Sequence, residues 1–374
     1  MDLSGIPFLD GHLHPPLAAP PADVAELRRR WYEGPAETAD AVTSMVAYLD
    51  SLRRLGLAYG TGPDEAALVA RMAAMPPAER LAQVMAVGRI DGLVVDEGFP
   101  PPDQVLAPDA IAAAAGGRVC RLLRLEVAAW ELFAAEADFD RFVEAFRAHV
   151  AGAPAAGFGG LKSIIGYRSG LAVAPSDREA ARAGFAREKR AGAHRLTDKA
   201  LLDHLLIAAL DENRRMRLPV QFHCGYGDAD VDASLCNPLG LRWLIESGQA
   251  AGFPVVLLHG AYPHTKAAGW MAAVHAHVVL DIASCIPPIG WTGVQAMLRD
   301  ALAVAPMRQI QLSSDAPALA DQILVAAEVA RETLGEVLAE LHARKALSAA
   351  QCDAAAADIM WRNGRRIYWG EGAA

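Results

Sequence analysis

The fold this sequence predicts is α/β, a (β/α)8 TIM barrel, and three observations predict it. Short apolar, β-branched runs recur eight times, each separated from the next by a longer helical stretch. The runs are continuously apolar instead of alternating, as strands buried on both faces are. Eight such units suit a closed barrel. An open doubly wound sheet is the alternative, although no Gly-rich dinucleotide loop opens the chain.

The first run, residues 6–14, ends in "DGHLHPP", where two prolines force the chain out of the sheet. About 75 residues then precede the second run, more than one crossover needs. Residues 22–89 read as helices broken at "GTGP", and 15–91 is expected to form a helical insertion over the barrel mouth. The second, third and fourth runs are "GLVVDEG" (92–98), "VCRLLRLE" (119–126) and "GFGGLKSII" (157–165). A second long connection, 169–216, leads to "LPVQFHCG" (218–225). Then come "FPVVLLHG" (253–260), "HVVLDIAS" (277–284) and "RQIQLSSD" (308–315). From Asp321 on the chain is Ala-rich and helical, closing with "IMWRNGRRIY". No linker or internal repeat divides it, so residues 1–374 are expected to form one barrel domain.

With 53% hydrophobic and 21% charged residues, the composition is that of a globular chain and not a disordered one. The net charge of −9, without a basic patch, argues against nucleic acid as partner. Short basic runs at 28–30 and 187–190 sit among acids and read as solvated helix faces. No stretch of 18 uninterrupted apolar residues occurs, so no membrane span is expected. The first residues carry acids and no basic stretch, so no secretory leader is expected either. The five cysteines show no CxxC spacing and read as free thiols in a reducing, cytoplasmic setting.

The chemistry-bearing residues cluster at the ends of the runs. In a strand, residues i and i+2 face one side, so Asp10, His12 and His14 point the same way. Two imidazoles so spaced can chelate one divalent metal. Lys162 lies on the fourth run, His223 ends the fifth, His259 the sixth and Asp315 the eighth. Each follows apolar residues among which an unpaired polar group would be costly. In a barrel, such strand ends converge on the mouth that does chemistry. The nitrogen and oxygen set suits Zn²⁺ or a similar ion; the bland reading is a coincidence of capping polars. Cys224 alternates away from His223 and reads as packing. Arg168, in "YRSG", could clamp a substrate carboxylate or be a surface loop residue. Tyr226 and Asp228, in "GYGDAD", could line a pocket or serve turn chemistry. His264, in "YPHT", could reach the mouth or face solvent.

This set in barrel order resembles the amidohydrolase superfamily. "FHCGYGDADVD", "LLHGAYPHTKAAGW" and "SSDA" resemble its amidohydrolase-related (amidohydrolase-2) branch, and "GLKSIIGYRSGL" resembles the subgroup also found fused to glutamine-synthetase-like domains. The resemblance runs from Phe8 to Tyr368 and is weakest in the helical insertion. It implies a divalent metal, zinc first, as one or two ions. His12, His14, His223 and Asp315 would bind the first ion or sit at its open position. His259 would ligate a second ion or bond the attacking water. Lys162 occupies the place of a carbamylated lysine bridging two metals; a free Lys162 pairing a substrate carboxylate is the alternative. Such a metal lowers the pKa of its water from about 15.7 to about 7. Asp315 would act as general base and then acid, while the metal or His259 would polarise the carbonyl.

Two reactions fit: hydrolysis of an amide in a small carboxylate-bearing compound, such as a γ-glutamyl or N-acyl compound, and non-oxidative decarboxylation of a small aromatic or unsaturated acid. A non-catalytic, ligand-sensing barrel is the third class, against which the intact ligand set argues. The expected partner is a small-molecule substrate, with a homodimer as the assembly to test.

Overall fold

The computed structural model describes residues 1–192, 194–283 and 289–371. Its eight strands are β1 (Phe8–Leu13), β2 (Ile90–Asp96), β3 (Val119–Arg124), β4 (Phe158–Ser163), β5 (Val220–Phe222), β6 (Val255–Leu257), β7 (Val278–Ala283) and β8 (Ile310–Ser313). They form one parallel sheet in the order β1 to β8, alternating with helices: a (β/α)8 TIM barrel. Every residue of β1, β5, β6, β7 and β8 is buried, which is why these strands read as largely apolar runs with only a few polar residues set among them.

Contacts divide the chain into two compact units. The first holds residues 1–120, 227–229 and 281–374. Its β1 and β2 pair with Asp10 opposite Leu93 and Leu13 opposite Val95. Between them run the helices Val24–Arg29, Val46–Tyr59, Glu65–Ala73 and Pro77–Val87. The second of these ends at Gly60, φ 70°, the left-handed cap that "GTGP" supplies. Arg28 does more than solvate a helix face. Its guanidinium grips the Glu65 carboxylate at 2.8 and 2.6 Å and reaches Asp40 at 2.7 Å, while the Tyr48 hydroxyl donates to Glu65 at 2.6 Å. The basic run at 28–30 thus ties three of the inserted elements together. Below them, buried Arg80 faces Asp321 at 3.2 Å, and the Tyr59 hydroxyl donates to the same carboxylate.

The second unit holds residues 121–226 and 230–280. One row of its sheet runs Arg124, Lys162, Gln221, Val256, Val279 across β3 to β7. The helix Arg178–Ala191 starts at Asp177, whose carboxylate accepts from the N–H groups of Glu179 and Ala180, and stops at left-handed Gly192. Within the run at 187–190, the Lys189 ammonium stands 4.0 Å from the Phe133 ring centroid and donates to the Phe133 carbonyl. That lysine also belongs to the packing instead of the solvated face. Cys120, Cys224, Cys236 and Cys352 are buried and form no disulfide among the described residues, and Cys285 lies outside them. Among the described residues, no helix is long and apolar enough to cross a membrane.

Candidate metal centre

The first unit carries His12, His14, Asp96 and Asp315. His12 is fully buried on β1; His14 follows the strand and is half-buried. Their rings meet edge-on with centroids 5.4 Å apart. The Nε2 atoms of His12 and His14 stand 3.4 and 3.9 Å from Oδ1 of Asp315. Asp96, the last residue of β2, completes a second grouping: one ligand atom each from His12, His14 and Asp96 lie within 4.8 Å of one another. A nitrogen and oxygen donor set that close, largely buried, fits a divalent cation.

The backbone around Asp315 is strained, with φ at 53°. Hydrogen bonds to β1 hold it there. The N–H of Asp315 donates to the His12 carbonyl at 2.9 Å, and the N–H of Ser314 donates to Oδ1 of Asp10 at 2.8 Å. Asp10, buried and on the same face as His12, therefore aligns β1 with β8. Burial pushes its carboxyl up to about 7, against the pull of the Ser314 and His12 N–H groups, and the nearby Asp281 adds to the rise. Asp281, in the middle of β7, accepts from the Ser313 hydroxyl at 2.6 Å and from the Gln311 amide at 2.8 Å.

The second unit carries Lys162, His223 and His259. Lys162 is buried on β4. His223 follows β5 and His259 lies two residues past β6; both are buried, with ring centroids 4.5 Å apart. Tyr167 covers the His223 ring at 4.4 Å. His259 also adopts left-handed backbone, φ 62°. Glu126, at the start of the helix after β3, accepts from the Ser163 hydroxyl at 2.7 Å and from the Ile164 N–H at 2.9 Å, fixing the exit of β4. Buried Cys224 packs near Cys236 and Lys162, and burial drives its thiol well above the usual range.

The remaining sequence candidates are spread out. Arg168 is half-buried and makes no ion pair with a described residue; desolvation, with Arg195 and Arg124 nearby, lowers its pKa. The Tyr226 N–H donates to the Tyr262 carbonyl at 2.7 Å. Asp228 is exposed, and with burial it helps push the Glu33 carboxyl up to about 7. His264 precedes the helix Thr265–Val274, and its main-chain N–H donates to Ala261 at 2.6 Å. Its side chain makes no hydrogen bond, ion pair or ring contact among the described residues, so nothing there assigns it to the histidine pair. Asp96 and Asp281 are the additions the structure makes to the sequence candidates, and Asp10, already grouped with His12 and His14, gains a partner in Ser314.

No protein-family model matches this sequence. Over 220 residues it is 32% identical to Protein fluG of Emericella nidulans, covering 56% of this chain and 25% of that protein, so this chain spans about a quarter of that relative's length. The structure superposes with TM-score 0.88 on a "putative metal-dependent hydrolase" from Lactobacillus casei ATCC 334, at 30% identity, covering 99% of this chain and 98% of that one. Uronate isomerase from Thermotoga maritima shares the fold at 13% identity, with TM-score 0.70 over 97% of this chain and 94% of its own.

Proposed function

Since this chain belongs to the metal-dependent hydrolases, we propose that it is a member of the amidohydrolase superfamily and hydrolyses the amide bond of a small carboxylate-bearing compound, a γ-glutamyl or N-acyl amide. The observation that carries the reading is the convergence of His12 and His14 on the carboxylate of Asp315 at 3.4 and 3.9 Å. His12, His14 and Asp96 are the first candidates to hold the cation; His223 and His259 are the further ligands that the resemblance implies. A bound divalent ion, zinc first, supplies water activation and carbonyl polarisation.

The protein's own groups do the rest. Asp315, clipped to β1 through its N–H, takes a proton from the attacking water on its carboxylate and returns it to the leaving nitrogen. The carbonyl of His12 and the carboxylate of Asp10 hold that base in place, so little reorganisation is needed as charge moves. Arg168, half-buried without an ion pair among the described residues, receives the substrate carboxylate in its planar fork. The γ-glutamyl preference rests on the resemblance of the "GLKSIIGYRSGL" segment. Lys162, buried on β4, would as a carbamate supply oxygen ligands to help hold a second cation.

The test joins composition to turnover. Elemental analysis is expected to find at least one divalent metal per chain, and the metal-loaded protein to release amine from a γ-glutamyl or N-acyl amide. Release of CO₂ from an acid in the same panel, without amine release, would replace hydrolysis by decarboxylation. A mass increase on Lys162 with two metals per chain supports the bridge. An unmodified lysine with one metal, at full activity in bicarbonate, assigns Lys162 to the substrate carboxylate instead.

A further inference from the structure

The start of β8 and the last helices of the first unit enclose a separate cavity of about 330 Å³. It lies at the N-terminal end of β8, whereas Asp315 follows the C-terminal end. Four guanidiniums line it, those of Arg308, Arg362, Arg365 and Arg366, against two carboxylates, Asp358 and Glu371. The lining thus carries an excess of two positive charges in a chain of net charge −9.

The carboxylates are engaged by one pair of arginines. Arg362 faces Asp358 at 3.7 Å. Arg365 reaches Glu371 at 3.2 Å and is held by Asp91 through two bonds of 2.5 and 2.7 Å. Both stand over the Trp361 ring, at 5.3 and 4.7 Å from its centroid. The other pair has no such partner among the described residues: there Arg308 makes no ion pair, and Arg366 donates only to the Arg308 main-chain oxygen, at 2.6 Å. Arg366 is half-buried, and desolvation and the Arg308 charge both act against its cation, with Asp358 opposing them. The two guanidiniums form no ion pair among the described residues, and their mutual repulsion grows as water is removed. The lining residues Asp358, Trp361 and Arg362 sit on a π-helical turn, Asp358–Arg362, a local geometry that recurs at functional sites.

We propose that this cavity binds a dianionic oxyanion, inorganic phosphate or a small phosphate monoester, between Arg308 and Arg366. Two planar forks match the oxygens of a phosphate and neutralise its charge. The cavity wall is rigid enough to preform the site: the Asn363 amide donates to the carbonyls of Met307 and Ile310, both at 2.8 Å, pinning the Arg366 helix to the start of β8. This inference stands apart from the metal centre and does not depend on the proposed reaction.

Titration calorimetry of the purified full chain with inorganic phosphate, glycerol phosphate and succinate tests it. Phosphate is expected to bind the wild type and the His12→Ala variant alike, and at least about tenfold more weakly to Arg308→Gln/Arg366→Gln. The single Arg308→Gln variant, at an exposed position, gives the same reading in a chain whose fold is not at stake. Equal binding of glycerol phosphate identifies monoesters as ligands; binding of phosphate alone identifies the free ion. Unchanged affinity in the arginine variants, loss of binding in His12→Ala alone, no binding at millimolar phosphate, or tighter binding of succinate would each overturn the proposal.

Discussion

The exits of β1 and β8 and the exits of β5 and β6 solve one problem by different means. Each places a candidate chemical residue on left-handed backbone, Asp315 at φ 53° and His259 at φ 62°. That geometry costs about 1–2 kcal/mol for a side-chain-bearing residue. At β1 and β8 the strain is held by hydrogen bonds from main-chain N–H groups: Asp315 to the His12 carbonyl, Ser314 to the Asp10 carboxylate, and His14 to the Ala316 carbonyl at 2.9 Å. At β5 and β6 packing contributes most. Tyr167, His223 and His259 form a column of rings, and Gly225 passes so close to the Tyr262 carbonyl that a Cβ there would meet it at 2.2 Å. A hydrogen-bonded support fixes direction sharply and fails when one acceptor is lost. A packed support degrades by degrees.

This contrast is open to direct attack. The largest effect is expected from the groups the supports present. His12→Ala and Asp315→Asn should each lower kcat/KM by about a thousandfold or more, since they remove a ligand and the base. Their melting temperatures should stay near the wild type, measured by calorimetry on metal-free protein. Near-normal turnover in either would remove that residue from the mechanism. Next comes the hydrogen-bonded support. Asp10→Ala leaves the buried Ser314 N–H without its acceptor and should cost about 1–3 kcal/mol of stability. It should also depress kcat more than it raises KM, with Asp10→Asn, which keeps an acceptor, restoring most of both. Equal loss in the two variants would mean that Asp10 acts through its charge. The smallest effect should come from the packed support. Tyr167→Phe keeps the ring over His223 and should be nearly silent, whereas Tyr167→Ala should lose about 0.5–1.5 kcal/mol of ring contact and at most about tenfold in rate. A collapse as large as that of Asp10→Ala would erase the distinction.

Much of this was legible beforehand. Strands buried on both faces are written largely in apolar residues, so the eight runs locate all eight strands. Their ends were less sharp, because the polar residues that close each run lie past the hydrogen-bonded ladder: β5 is only Val220–Phe222, and His223 already follows it. Asp96 carries the same signal as Asp315, an apolar run closed by an aspartate, and "VVDEG" could have yielded it. Asp281 offered another sign, a carboxylate inside "VVLDIAS", where burial demands partners. Those partners, Gln311 and Ser313, are 30 and 32 residues away and show only in the fold. Arg28 is alike: its partner Glu65 is 37 residues distant, so its role in joining helices could not be read from its acidic neighbours.

The left-handed turn at Asp315 also limits how this protein can drift. Glycine, asparagine and aspartate are the residues that take such backbone most cheaply. Codons for the first two lie a single base change from those for aspartate. The mutations most easily reached and best tolerated by the main chain are therefore ones that abolish the base and leave the barrel standing. A lineage under relaxed selection for turnover would pass readily into folded, inactive descendants that keep the pocket and lose the chemistry.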